Sequence, residues 1–94
     1  PRGQLMLDEG AVEALVRRGK SLLPSGILTV SGSFEAGDPV SCTDRDGKEF
    51  AKGLVNFPSQ KLEQIKGLKT ADIQQRIGLQ EYEEVIHRDN LVIL

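Results

Sequence analysis

Between Lys20 and Val40 the chain reads Lys-Ser-Leu-Leu-Pro-Ser-Gly-Ile-Leu-Thr-Val-Ser-Gly-Ser-Phe-Glu-Ala-Gly-Asp-Pro-Val. No other stretch limits the fold as much. Pro24 has no amide to donate and drives Leu23 toward extended backbone, so a helix arriving from the N-terminal side must end before it. Gly26 lets the chain swing into Ile27-Leu28-Thr29-Val30, whose β-branched content favours a strand. Gly32 then interrupts that strand as a bulge or close-approach glycine would, Phe34 supplies the largest apolar anchor nearby, and Glu35 to Asp38 form a turn. A helix stop, a corner, a strand and a turn in so short a span call for a small sheet with short connections.

The flanking sequence fits that frame. Gln4 to Leu7 is a short apolar run expected as a first strand. Asp8 follows as an N-cap, and Ala11, Val12, Leu15 and Val16 form an apolar stripe at helical spacing. Arg17, Arg18 and Lys20 gather where a helix C-terminus favours positive charge, and Gly19 is the left-handed stop. Leu22 and Leu23 are expected to plug the core beneath the corner. Val40 and Cys42 alternate with wetter Ser41 and Thr43. Asp44-Arg45-Asp46-Gly47 predicts a hairpin, and the return strand runs from Lys48 to Phe57. Ser59 is expected to cap a helix with Leu62 and Ile65 inward and Gly67 at its end. Thr70 is expected to cap another, with Ile73 and Ile77 inward and Gly78 as terminator. Tyr82 to His87 carries Val85-Ile86 as a strand, Asp89 caps the next turn, and Leu91 to Leu94 closes the sheet. The order contains no long crossover pattern, so the expected class is mixed and mainly β: a small barrel-like sheet of mostly antiparallel strands with short helices.

Ninety-four residues make one domain with a modest core. The chain starts at Pro1 without methionine and stops within an apolar run, which reads as a piece of something longer. One cysteine excludes an internal disulfide and favours a reducing, cytoplasmic setting. No apolar run approaches the ~20 residues of a membrane helix. A formal charge of −2 argues against gripping nucleic acid by bulk electrostatics, so any such site must be a local patch.

Enzymatic motifs fail on inspection. Gly32 to Asp38 has the glycine spacing of a phosphate loop, but Asp38 stands where that loop needs lysine. His87-Arg88-Asp89 spells a kinase catalytic tripeptide, yet Leu94 occupies the offset where a metal-holding Asn belongs. Cys42 and His87 are the soft metal ligands present, with no second pair at ligand spacing, and Cys42 reads as a buried inert thiol. Glu81, Glu83 and Glu84 read as a solvated face. Arg17 to Ser21 remains as the local feature suited to an anion or a nucleic-acid backbone. Its simpler role is a basic helix end answering the dipole, and the scarcity of aromatic residues weakens any case for base stacking.

Leu7-Asp8-x-Gly-Ala11, Arg18-Gly19-Lys20-Ser21-Leu22-Leu23-Pro24-x-Gly26-Ile27, Val30-x-Gly32-x-Phe34-x-x-Gly37-Asp38, Ala51-x-Gly53-Leu54 and Val85-Ile86-His87-Arg88-Asp89-Asn90-Leu91 together resemble the C-terminal PUA domain of bacterial glutamate 5-kinases. The resemblance covers nearly all of the chain and implies one PUA domain over residues 1–94, a β pseudo-barrel with small helices, separated from its kinase domain. It implies a non-catalytic accessory or regulatory role beside a domain that uses ATP and magnesium to phosphorylate L-glutamate for proline biosynthesis, with no cofactor or metal in this part. The implied partners are that kinase domain, copies of the parent enzyme, and RNA as the alternative. RNA would be held on the first helix and the loop after it, at Gly10, Ala11, Arg17, Arg18, Gly19, Lys20, Ser21 and Leu22.

Overall fold

A computed structural model describes residues 2–77 and 84–94. The chain runs β1 (Gly3–Leu7), α1 (Glu9–Arg18), a 3-10 turn at Pro24–Gly26, β2 (Ile27–Gly32), β3 (Pro39–Thr43), β4 (Glu49–Leu54), α2 (Ser59–Ile65), α3 (Thr70–Ile77), a second 3-10 turn at Arg88–Asn90, and β5 (Leu91–Ile93). The strands form one sheet in the order β2-β1-β3-β4-β5. β1 and β3 pair in parallel, and the other neighbours are antiparallel. The mixed, mainly β class with short helices is the architecture observed.

Local chemistry sets most boundaries where the sequence places them. Asp8 Oδ1 accepts from the Ala11 amide at 2.8 Å and caps α1, while Gly19 closes the helix with φ 60°. At the hairpin, Asp44 Oδ1 accepts from the Asp46 and Lys48 amides, and Gly47 takes φ 83°. Asp38 Oδ2 accepts from the Glu35 amide at 2.9 Å and closes the turn after Phe34. Gly32 combines φ 86° with close approach: a Cβ there would lie 2.7 Å from the Arg2 carbonyl oxygen.

The core joins the inward faces of the strands to one side of each helix. Leu5, Leu7, Leu22, Val40, Cys42, Leu62, Ile65 and Ile86 are completely or almost completely buried. The Phe34 ring lies over Gly3, where a Cβ would come within 2.4 Å of it. Gly53 makes room for Ile86 in the same way, at 2.7 Å. Cores pack so closely that these two glycines stand for volume as much as for backbone freedom.

Several expectations fail, each for a tertiary reason. Leu22 is buried, but Leu23 is 43% exposed, because consecutive residues in extended backbone point to opposite sides. On α1, Leu15 is buried while Val16 is 47% exposed; the sheet covers a narrower stripe than the apolar residues offer. Gly26 has no positive φ and is required instead by contact, since a Cβ on it would sit 2.5 Å from the Ala11 methyl. Thr43, expected on the wetter face, is fully buried. The register slips between Cys42 and Thr43, with Cys42 opposite Ala51 and Thr43 opposite Glu49, so the extra residue of the bulge is Phe50 on β4.

The return strand ends at Leu54 rather than Phe57. Ser59 does not cap α2, whose N-cap is Pro58. The Ser59 hydroxyl instead accepts from the Phe34 amide at 3.2 Å. Val85-Ile86 is no strand: Ile86 makes an isolated antiparallel bridge to Leu22. The second 3-10 turn is capped by His87 Nδ1, which accepts from the Asp89 amide at 3.1 Å, rather than by Asp89. Ile73 is buried as expected; the Ile77 side chain, Gly78 and Tyr82 lie outside what is described.

Candidate functional site

A groove of about 710 Å³ opens where α1, the Lys20–Gly26 corner and the segment from Glu84 to Arg88 meet. Its floor is apolar. Gly10, Ala11 and Ala14 present small residues along α1, and Leu15 and Leu22 lie beneath them. The closeness of Gly26 to Ala11 pulls the corner against the helix and fixes the width of the groove.

The opposite wall comes from the far end of the chain. Leu22 donates its amide to the Ile86 carbonyl at 2.9 Å and accepts from the Val85 amide at 2.7 Å. Beside this bridge, Ser21 Oγ accepts from the Arg88 amide at 2.9 Å. These three bonds bring Glu84, His87 and Arg88 into the same groove as Lys20 and Ser21. His87 Nδ1 is occupied by its bond from the Asp89 amide, with an Asp89 carboxylate oxygen 3.5 Å away.

The rim balances its charges, Lys20 and Arg88 against Asp8 and Glu84. An apolar floor with paired cations and hydroxyls suits a ligand that offers both a flat or apolar surface and an anionic or polar edge. Of the eight residues expected at a binding surface, Gly10, Ala11, Lys20, Ser21 and Leu22 line this groove. Arg17 instead borders a second groove, of about 410 Å³, on the other side of α1, with Val12, Val16 and the Asp44–Asp46 turn. Arg18 and Gly19 line neither; they are exposed at the helix end. His87, Arg88 and Glu84 were missed because they are more than sixty positions away in sequence. The specificity of His-Arg-Asp-Asn to the same family as the corner motif was the available hint that the two belong together.

Cys42 is remote from this chemistry. Burial, with a smaller contribution from the Glu49 carboxylate, pushes its thiol up from 9.0 to about 12, so it is a poor nucleophile at neutral pH. Among the described residues no group of three or more His, Cys, Asp or Glu is arranged to hold a metal ion, and no helix is long and apolar enough to cross a membrane.

Known proteins resemble this chain in sequence and in fold. Glutamate 5-kinase of Caldanaerobacter subterraneus subsp. tengcongensis is 55% identical over 92 residues, covering 98% of this chain and 25% of that protein. Glutamate 5-kinase of Syntrophus aciditrophicus is 54% identical over 93 residues, covering 99% and 24%. The chain thus spans about a quarter of the length of these relatives. Among solved structures, a PUA domain from Aeropyrum pernix K1 in a tartrate complex superposes with a TM-score of 0.67 at 25% identity, over 92% of this chain and 41% of that one. The archaeal box H/ACA sRNP Nop10-Cbf5 complex contains the same fold at a TM-score of 0.61 and 17% identity, over 98% of this chain and 23% of that one. The PUA domain family model matches residues 3–77, which include α1, the corner and four of the five strands, and the chain therefore belongs to the PUA domain family.

Proposed function

We propose that this chain is the non-catalytic accessory PUA domain of a cytoplasmic glutamate 5-kinase and that residues 1–94 form that single domain. The observation that carries this reading is identity of 51–55% to several glutamate 5-kinases along 98–100% of the chain. In such a parent, ATP would donate its γ-phosphoryl group to the side-chain carboxylate of L-glutamate, giving γ-glutamyl phosphate and ADP, the first step of proline biosynthesis. Phosphoryl transfer needs a cradle for the phosphates and metal-holding carboxylates. Asp38 in the glycine-spaced turn and Leu94 after the His-Arg-Asp tripeptide argue that neither is supplied here. ATP and magnesium would bind the remainder of the parent, and the groove beside α1 would serve partner contact or regulation.

The test separates the parts. With ATP, magnesium and glutamate, the parent enzyme should form γ-glutamyl phosphate, and the 94-residue chain alone should form none. Glutamate-dependent ATP turnover by the isolated chain would overturn the assignment.

A second reading, an RNA-binding module, is favoured by Lys20 and Arg88 lining one groove together with the small residues Gly10, Ala11 and Ala14. Titration with a structured RNA at low and moderate salt tests it. Binding should weaken with salt and with Lys20→Ala plus Arg88→Ala. Binding that ignores both would remove this reading and leave the first intact.

A further inference from the structure

β5 is an edge of the sheet, and it is unusually apolar for one. The side chains of Leu91, Val92, Ile93 and Leu94 carry no charge and none is proline, the devices by which exposed edges ordinarily resist pairing. Val92 is 62% and Leu94 64% exposed, and Leu54 on β4 and Ile93 are also exposed. Val92 pairs with Lys52, so by alternation Val92 and Leu94 share the outer face of the sheet with Lys52 and Leu54.

The backbone of this edge has a definite polarity. The Leu94 amide donates to the Phe50 carbonyl at 2.9 Å, which makes Phe50 and Leu94 a hydrogen-bonded pair. Such pairs alternate along an antiparallel ladder. Lys52 and Val92 are therefore also bonded, while Ile93, opposite Ala51, turns its amide and carbonyl away from β4 to the open side. The Leu91 amide is already taken by the Arg88 carbonyl. Among the described residues, Ile93 is thus the β5 residue with both a donor and an acceptor directed to a further strand.

We infer that β5 pairs antiparallel with β5 of a second copy of this chain, centred on Ile93. A two-fold axis through that residue makes the contact self-complementary. The two Ile93 residues exchange amide-to-carbonyl bonds, and Val92 of each copy faces Leu94 of the other on the outer face. The side chains of β5 are uncharged and the formal charge is −2 per copy, so in the 94-residue protein the charge nearest the contact is the terminal carboxylate of each Leu94. A few residues per copy fall well short of the roughly 800 Å² per partner of a standing dimer, which makes the association weak and dependent on concentration. This contact is independent of what the groove beside α1 binds.

Sedimentation equilibrium of the 94-residue protein from about 10 μM to about 1 mM, the range in which so small a contact dissociates, tests the inference. The mean mass should climb from one chain toward two. Val92→Glu should hold it at one chain: the new carboxylate lies opposite Lys52 and keeps β5 folded, while charging the contact. Ile93→Pro removes the outward amide without removing a β4–β5 bond and should act likewise. Circular dichroism checks that both variants are folded. A wild-type mass that stays at one chain to 1 mM would overturn the inference, as would a folded Val92→Glu variant that associates as wild type does.

Discussion

Ser21 Oγ accepts a hydrogen bond at 2.9 Å from the amide of Arg88, a residue 67 positions later. Together with the Leu22–Ile86 bridge it pins the last segment of the chain to the corner after α1 and so makes one groove out of two distant stretches.

Ser21→Ala removes that bond while leaving the Leu22–Ile86 bridge. The Arg88 amide is exposed and turns to water, so the stability cost should stay at or below about 1 kcal/mol. Amide exchange at Arg88 should quicken well beyond the change in global stability. Unchanged exchange there would mean that Ser21 does not hold the wall.

Gly26→Ala sets two methyl groups 2.5 Å apart, against Ala11. Overpacking of this kind should cost about 1–3 kcal/mol, read as a lower denaturant midpoint. Ala11→Gly should recover part of the loss in the double variant, although it costs up to about 1 kcal/mol by itself in a helix. Simple additivity of the two changes would show that the contact is not the cause.

Thr43 is fully buried, and its hydroxyl has no hydrogen-bond partner among the described residues. An unsatisfied buried hydroxyl costs about 1–3 kcal/mol of desolvation, and valine has nearly the same shape without it. Thr43→Val should therefore raise the melting temperature. A lowered one would point to a partner for the hydroxyl, such as a buried water.

Cys42 makes stability depend on alkaline pH. Its thiol is pushed from 9.0 to about 12 in the folded chain, chiefly by burial and then by Glu49. The folded state therefore keeps a proton that the unfolded state loses. This contribution is complete below pH 9.0 and is lost as pH rises from 9.0 toward about 12. Denaturant midpoints at pH 8, 9.5 and 10.5 should fall more steeply for the wild type than for Cys42→Ala. The native thiol should also resist a thiol reagent at pH 8 until the chain is unfolded.

Local chemistry made much of the fold legible. Asp8, Gly19, Asp44 with Gly47, and Gly37 with Asp38 each satisfy or shape nearby backbone, so their effects can be read within a few residues. The strand cores Leu5 with Leu7 and Val40 with Cys42 follow from alternation for the same reason. Five of the fourteen residues lining the groove were legible as well, because Gly10, Ala11 and Lys20 to Leu22 lie on one helix and the corner directly after it.

What the sequence determined by itself was most of the elements and the caps and turns at Asp8, Gly19, Asp38, Asp44 and Gly47, all set by interactions of short range. Tertiary structure decided which of Leu22 and Leu23 enters the core, why Gly26 must be glycine, that Thr43 is buried, and that Arg88 shares a groove with Lys20 while Arg17 belongs to another. Those outcomes depend on pairing register and on contacts between residues far apart in the chain, and neither periodicity nor capping chemistry encodes them.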